Sequence, residues 1–253
     1  MGLTPASAPG APGAAGPVDV PDVLASALRR PGAGLLLDLD GTLVDSEPMH
    51  RAAFEEYFAA RGWDVPDDVV RAFAGRRAEE VFPVLDGPWR GEDPAVLTAA
   101  VIATLRGSGL PPLPVPGAVA LLRACRDVGL PVAVVTSASR EWAAAVVEAL
   151  GAPDLPMVTA EDCTRGKPDA EPYRRGAAAL RLDPGVLVAV EDAPAGLASA
   201  DAAGIGLLVG VTTSHGPREL HRAHLTVPDL RPLAACVGAR AVAGPGDAQA
   251  EVP

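Results

Sequence analysis

The hydrophobic positions of this chain fall into short apolar runs separated by longer amphipathic stretches. The runs lack a helical period and predict buried strands. They occupy residues 35–39, 132–136, 157–159, 186–190 and 205–209. Helices are predicted between the later strands, at residues 118–128, 140–150, 171–181 and 195–203. This alternation indicates an α/β fold, a Rossmann-like doubly wound parallel sheet with helices on both faces.

An insertion of different character separates the first two predicted strands. It carries helical patterns at residues 49–61, 66–74, 78–84 and 94–105 and no convincing strand. A connection this long with its own helices predicts a small all-α domain. It starts directly after the first strand, so we expect a helical cap over that strand's end. The predicted domains are a core at 33–46 and 114–240 and a cap at 47–113, with a proline-rich return hinge at 110–116.

The two ends of the chain are rich in Ala, Pro and Gly, which predicts a disordered leader at 1–17 and a disordered tail at 241–253. A short helix is predicted at 18–30. Aromatic residues make up only 4% of the chain, so Leu, Val and Ala must fill the core. The net charge of −11, with no Lys/Arg run, argues against a nucleic-acid partner. An acidic protein that handles phosphate needs local positive charge, from a metal or a placed lysine.

The cysteines and the apolar runs bear on the compartment. Cys125, Cys163 and Cys236 are odd in number and lack metal-ligand spacing, which favours free thiols in a reducing compartment. No apolar run approaches the roughly 18–20 residues that span a bilayer. The N-terminus lacks the features of a secretory signal. We therefore expect a soluble cytoplasmic monomer with no membrane partner.

Two carboxylates follow the first predicted strand. Residues two apart in a strand point to the same side, so Asp38 and Asp40 should project together at the edge where open α/β sheets bind ligands. Such a pair repels unless a cation lies nearby. The pattern suggests a divalent metal and a carboxylate nucleophile beside an acid/base. An ordinary Asp-Gly turn is the alternative. A calcium loop is disfavoured because Thr42 and Val44 supply no further acid.

Polar residues also follow the later strands. The turn of Thr136, Ser137 and Ala138 offers hydroxyls and backbone N–H groups that could hold a phosphate, or simply a helix cap made by Ser139. Lys167 lies in a loop that is not a Walker loop, and an isolated lysine is more often solvated. The pair Glu191–Asp192 fits a second metal-binding edge, or a helix cap by Asp192.

Taken in order, these segments resemble the four motifs of the haloacid dehalogenase superfamily. The strings around Thr136, Lys167 and Asp192 look like its β-phosphoglucomutase-like branch, and within it the sugar-phosphate and glycerol-phosphate phosphatases. The resemblance covers roughly residues 33–235. It implies a phosphatase for a small phosphorylated sugar or polyol, with Mg²⁺ as cofactor.

The resemblance also implies roles for single residues. Asp38 would form an aspartyl-phosphate, and Asp40 would protonate the leaving oxygen and then activate water. Lys167 would hold the phosphate. The implied metal ligands are Asp38, the backbone carbonyl of Asp40, Asp192 and Glu191. The implied phosphate-binding groups belong to Leu39, Thr136 or Ser137, and Ala138.

Two alternatives remain. One is a hexose phosphomutase. His50 falls where mutases carry a histidine, but related phosphatases carry it too, and Ala78 stands at the place of the mutase arginine. Glu47, His50, Arg76 and Arg77 are the cap residues expected near the substrate. The arginines could instead pair with Glu79 and Glu80 on the surface. A phosphoacceptor switch domain is disfavoured by the cap insertion and the chain length.

Overall fold

The structure, a computed structural model, describes residues 20–73, 76–107 and 113–240. Its strands are β1 Gly34–Leu37, β2 Val44–Asp45, β3 Leu113–Pro114, β4 Val132–Val135, β5 Met157–Val158, β6 Leu187–Glu191, β7 Leu207–Val211 and β8 Leu225–Val227. Its helices are α1 Val20–Arg29, α2 Glu47–Ala60, α3 Asp67–Arg71, α4 Ala78–Val81, α5 Pro94–Gly107, α6 Ala118–Val128, α7 Arg140–Ala149, α8 Glu171–Leu180, α9 Pro194–Ala202 and α10 Arg231–Ala239.

A six-stranded parallel sheet has the order β5-β4-β1-β6-β7-β8. Strand β1 lies between β4 and β6, with Leu37 opposite both Val134 and Val190. The three central strands therefore end at nearly the same level. Residues that follow them are brought to one edge of the sheet.

The central strand is buried on both faces. Leu35 and Leu37 pack in one hydrophobic cluster with residues of α1, α6, α7 and α10, whereas Leu36 packs in a second cluster with residues of α8 and α9. Alternate side chains thus enter opposite layers, as the pleat requires. This is why the strand is a continuous apolar run. The predicted α/β fold class is confirmed.

The predicted strands are present with small shifts at their ends, and three strands were missed. Strand β8 has only three residues, and β2 and β3 form a separate antiparallel pair of two residues each. Such short pieces carry too little alternation to stand out. The predicted leader, the predicted tail and residues 110–112 of the predicted return hinge lie outside the described residues.

Helices α2–α5 form the helical cap, which follows β2. Its own hydrophobic cluster is largely aromatic, with Phe54, Phe58, Phe73, Phe82 and Trp89 in mutual ring contact. The low aromatic content of the chain is therefore concentrated in the cap, while aliphatic residues fill the core. The bounds of the cap as a domain stay a prediction. Among the described residues, no helix is long and apolar enough to cross a bilayer.

Candidate active site

Lys167 and Asp38 form a buried ion pair at the sheet edge. The Nζ atom of Lys167 lies 2.5 Å from Asp38 Oδ1 and 2.6 Å from Glu191 Oε1. The hydroxyl of Tyr173 donates to the same Glu191 oxygen at 2.8 Å. Lys167 is only 1% exposed and Asp38 only 3%. The ammonium therefore joins the ends of β1 and β6, and it is not solvated.

Lys167 is the only lysine among the 21 Lys and Arg residues of the chain. Every other basic side chain is an arginine. A compact ammonium fits between two buried carboxylates, where a planar guanidinium needs more room. The presence of a single lysine in the chain therefore pointed to Lys167 as a site residue, independently of the motifs.

The carboxyl group of Asp38 is one of three that are buried together at this site. Oxygens of Asp38, Glu191 and Asp192 lie within 4.8 Å of one another. Asp38 Oδ2, Glu191 Oε2 and Asp192 Oδ1 are buried and have no hydrogen-bond partner among the described residues. Burial and the neighbouring Glu191 carboxylate raise the pKa of Asp38 from 3.8 to about 8. Burial and the Asp38 charge also raise the pKa of Asp192 well above 3.8.

The donor set fits a hard divalent cation. One lysine does not balance three carboxylates, and the unpartnered oxygens are the kind of ligand that Mg²⁺ prefers. Asp192 precedes helix α9 but does not cap it, because the N-cap residue is Ala193. The structure therefore does not support the alternative that Asp192 serves as a helix cap.

Two glycines allow the backbone to approach these carboxylates. Gly41 has φ +83°, and a Cβ there would lie 1.9 Å from Asp192 Oδ2. A Cβ at Gly196, in the first turn of α9, would lie 1.9 Å from Glu191 Oε1. A side chain at either position would displace a carboxylate. The glycines that follow Asp40 and Asp192 in the sequence therefore serve the packing of the site.

Asp40 has different surroundings from Asp38. Its side chain is 18% exposed, and its Oδ1 atom accepts hydrogen bonds from Ser46 Oγ at 2.6 Å and from Trp142 Nε1 at 3.0 Å. His50 Nε2 lies 3.9 Å from the same oxygen. The two aspartates thus follow one strand but differ in partners. Asp38 is locked to Lys167, and Asp40 faces the start of the cap.

The predicted phosphate-binding turn follows β4. Thr136 is buried, and its Oγ1 accepts a hydrogen bond from the Ala138 N–H at 3.0 Å. Ser139 caps helix α7 by accepting from Trp142 N. Leu39 buries its side chain in the core and so has only its backbone to offer a phosphate. The choice between Thr136 and Ser137 as the phosphate-binding hydroxyl stays open.

The cap arginines contact the core. The guanidinium of Arg77 donates to the backbone carbonyls of Ala160 and Cys163 at 2.5 and 3.0 Å and pairs with Glu80 at 3.3 Å. Arg76 has a buried Nε without a partner among the described residues. Glu47 begins α2, but its side chain lies outside the described part of the structure. Substrate contact by Glu47, Arg76 and Arg77 therefore stays a prediction.

Several residues near the site were not predicted to take part in it. These are Tyr173, Ser46 and Trp142, and a loop after β7 contributes as well. Thr213 Oγ1 donates to the Gly41 carbonyl, and His215 Nδ1 lies 3.0 Å from the Asp192 carbonyl oxygen. These contacts join segments that are far apart in sequence, so spacing within one segment cannot reveal them.

The chain matches the family model of the haloacid dehalogenase-like hydrolases over residues 33–204. It belongs to this family, and the predicted enzyme class is confirmed. The resemblance drawn from the four motifs is confirmed as well.

Particular relatives narrow the comparison. The chain is 38% identical to validoxylamine A 7'-phosphate phosphatase of Streptomyces hygroscopicus subsp. limoneus, over 77% of this chain and 92% of the relative. It is 37% identical to hexitol phosphatase A of Escherichia coli, over 73% of this chain and 86% of the relative. The crystal structure of β-phosphoglucomutase from Clostridium difficile has the same fold, with a TM-score of 0.65 at 21% identity over 83% of this chain and 98% of that one.

Proposed function

We propose that this hydrolase is a Mg²⁺-dependent phosphatase that cleaves a small phosphorylated sugar or polyol through an aspartyl-phosphate on Asp38. The observation that carries the proposal is the buried cluster of Asp38, Lys167, Glu191 and Asp192, with Asp40 beside it. The named phosphatases among the relatives support the reaction class, and the name hexitol phosphatase A supports a polyol phosphate as the kind of substrate.

In the first step, a carboxylate oxygen of Asp38 bonds to phosphorus while the bond from phosphorus to the leaving oxygen breaks. Asp40 gives its proton to that oxygen, so an alcohol leaves instead of an alkoxide. The two roles suit the two environments. Asp38 is fixed by Lys167, whereas Asp40 is partly exposed and adjacent to the cap.

In the second step, water attacks the phosphorus of the aspartyl-phosphate. Asp40, now ionised, takes a proton from this water, and the bond from phosphorus to Asp38 breaks. Phosphate leaves, Asp38 is regenerated as a carboxylate and Asp40 is protonated again. Each group thus ends in its starting state, as turnover requires.

Charge on the transferring group must be balanced during both steps. Lys167 lies close enough to Asp38 to contact a phosphoryl oxygen bonded there. The hydroxyl of Thr136 or Ser137 and the backbone of Leu39 and Ala138 would hold the other oxygens. Mg²⁺, held by Asp38, the Asp40 carbonyl and Asp192 with Glu191 beside them, would supply the remaining positive charge.

A hexose phosphomutase is the second candidate, because His50 lies 3.9 Å from Asp40, where it would face a sugar hydroxyl. A mutase returns the phosphoryl group to another hydroxyl, whereas a phosphatase passes it to water. The two relatives described above, 38% and 37% identical over the aligned residues, are named phosphatases. This favours hydrolysis.

The test is phosphate release from a panel of mannitol phosphate, glycerol phosphate, glucose phosphate and phosphoglycolate, with Mg²⁺ or with EDTA. We expect Mg²⁺-dependent release, fastest from a sugar or polyol phosphate. Isomerisation of glucose phosphate without phosphate release would favour the mutase. No release from any compound would contradict the proposal.

We expect Asp192→Ala to weaken the activation by Mg²⁺. The change removes a buried ligand oxygen, so the Mg²⁺ concentration for half-maximal activity should rise at least about tenfold. Activity should partly recover at high Mg²⁺. Asp201→Ala is the control, because Asp201 lies in α9 but pairs with Arg222 at the surface. An unchanged Mg²⁺ titration for Asp192→Ala would refute this metal site.

We also expect the metal-free protein to lose stability as pH rises from 3.8 towards 8. In this range the folded protein retains a proton on Asp38 that the unfolded chain releases, because the pKa of Asp38 is raised from 3.8 to about 8. The stabilisation is full below 3.8 and is lost as pH passes the folded pKa. The melting temperature in EDTA, measured at several pH values, tests this loss of stability. Saturating Mg²⁺, or the Asp38→Asn substitution, should make the melting temperature fall less steeply with pH. A melting temperature in EDTA that does not fall over this range would contradict the expectation.

A further inference from the structure

Trp142 lies in the first turn of α7, three residues after the N-cap Ser139. This position often carries a Glu or Gln that completes a capping box. The helix start is held by another segment, because the Glu161 carboxylate accepts the N–H of Arg140, the first residue of α7, at 3.0 Å. Arg140 also pairs with Asp162 at 2.5 Å. The start of α7 is thus anchored without a capping side chain at 142.

The indole of Trp142 instead reaches Asp40. Its Nε1 donates to Asp40 Oδ1 at 3.0 Å, and Ser46 Oγ donates to the same oxygen at 2.6 Å. An indole N–H can only donate, so this bond holds one carboxyl oxygen as the acceptor. The hydrogen bonds that described side chains make to Asp40 therefore all reach Oδ1. Oδ2 is left for the proton that Asp40 exchanges.

We propose that Trp142 is a positioning residue that orients Asp40 for proton transfer through Oδ2. The inference rests on the proposed function, in which Asp40 protonates the leaving oxygen. Ser46 precedes the cap helix α2, whereas Trp142 belongs to the core helix α7. The indole thus fixes Asp40 from the core side. Proton transfer depends steeply on such placement, since a shift of about 1 Å can cost about 100-fold.

The test compares kcat/KM of Trp142→Phe on two substrates, mannitol phosphate and p-nitrophenyl phosphate. Phenylalanine keeps an aromatic ring and removes the N–H donor. A sugar alkoxide needs the proton from Asp40, whereas p-nitrophenolate leaves readily without it. We expect a loss of at least about tenfold on mannitol phosphate and less than about threefold on p-nitrophenyl phosphate. The value of kcat/KM depends only on the steps up to the release of the alcohol. The later hydrolysis of the aspartyl-phosphate therefore does not affect it.

Trp89→Phe is the matched control. Trp89 Nε1 donates to the Phe82 carbonyl at 3.0 Å inside the cap, so the same atoms are removed away from Asp40. This variant should keep the wild-type ratio of the two kcat/KM values, whatever its effect on stability. Thermal unfolding of each variant shows whether it is folded at the assay temperature.

The outcomes separate this inference from the proposed function. Equal losses on both substrates, or no loss on either, for Trp142→Phe would overturn the positioning role. Asp40→Asn supplies the reference, because it should lose activity selectively on mannitol phosphate. A selective loss in Asp40→Asn without one in Trp142→Phe overturns only the role of Trp142. The absence of selectivity in Asp40→Asn, or of wild-type phosphate release from every compound of the panel, overturns the proposed function and this inference with it.

Discussion

Asp38→Asn is expected to abolish phosphate release, by about 10⁴-fold or more, in a protein that still folds. An amide is a very poor nucleophile, so the bond from residue 38 to phosphorus should no longer form. Folding should survive because Asn Oδ1 can still accept from Lys167. The change also removes one of three crowded carboxylates, so the metal-free protein should melt at the same temperature or higher.

Asp45→Asn is the matched control for this variant. Asp45 is exposed at the end of β2 and makes no described hydrogen bond to the buried carboxylates. The same loss of charge there should leave activity within about twofold of wild type. A folded Asp38→Asn protein that keeps a tenth of wild-type activity would rule out the covalent route through Asp38.

Lys167→Met is expected to lose both activity and stability. Removing one partner of a buried pair leaves Asp38 and Glu191 without compensation, which costs about 3–5 kcal/mol of folding free energy. Without the ammonium, the charge that develops on the transferring phosphoryl group is also less stabilised. We expect a further fall in kcat of about 10²–10³-fold, measured at a temperature where the variant is folded.

The neighbouring Arg165→Met provides the contrast. Arg165 pairs with Asp169 at 3.1 Å, but its side chain is 73% exposed. An exposed pair outside a helix contributes about 0.2–1 kcal/mol, so its loss should barely move the unfolding curve or kcat. Denaturant unfolding and steady-state kinetics of both variants measure the difference. Equal free energies of unfolding for the Lys167→Met and Arg165→Met proteins would contradict a stabilising role for the buried contacts of Lys167 with Asp38 and Glu191.

The fold was predictable because its strands are buried on both faces. A strand such as β1 is a continuous apolar run, and this run also locates the sheet edge where Asp38 lies. Such apolar runs do not reveal the order of the strands in the sheet. Only the structure shows that Leu37 lies opposite both Val134 and Val190, which brings Asp38 next to Glu191.

The partners of the motif residues were less predictable than the residues themselves. Tyr173 lies in the first turn of α8 and contacts Glu191 at the end of β6. Trp142 lies in α7 and contacts Asp40, which is 102 residues earlier in the chain. Neither contact has a periodicity or spacing that marks it. For Arg77 the sequence left two possibilities open, a substrate contact or an ion pair with Glu79 or Glu80. Its guanidinium pairs with Glu80, and it also donates to two core carbonyls, which the sequence did not predict.

The most direct test of the central claim is to trap the phosphoenzyme. Wild-type protein is mixed with radiolabelled mannitol phosphate and Mg²⁺, quenched in acid within the first turnover and digested, and the labelled peptide is identified by mass spectrometry. The proposed mechanism predicts label on Asp38 that forms and decays at rates able to support turnover, and no label in Asp38→Asn. Phosphate release in the first turnover without label on the protein, or with label on another residue, would contradict it.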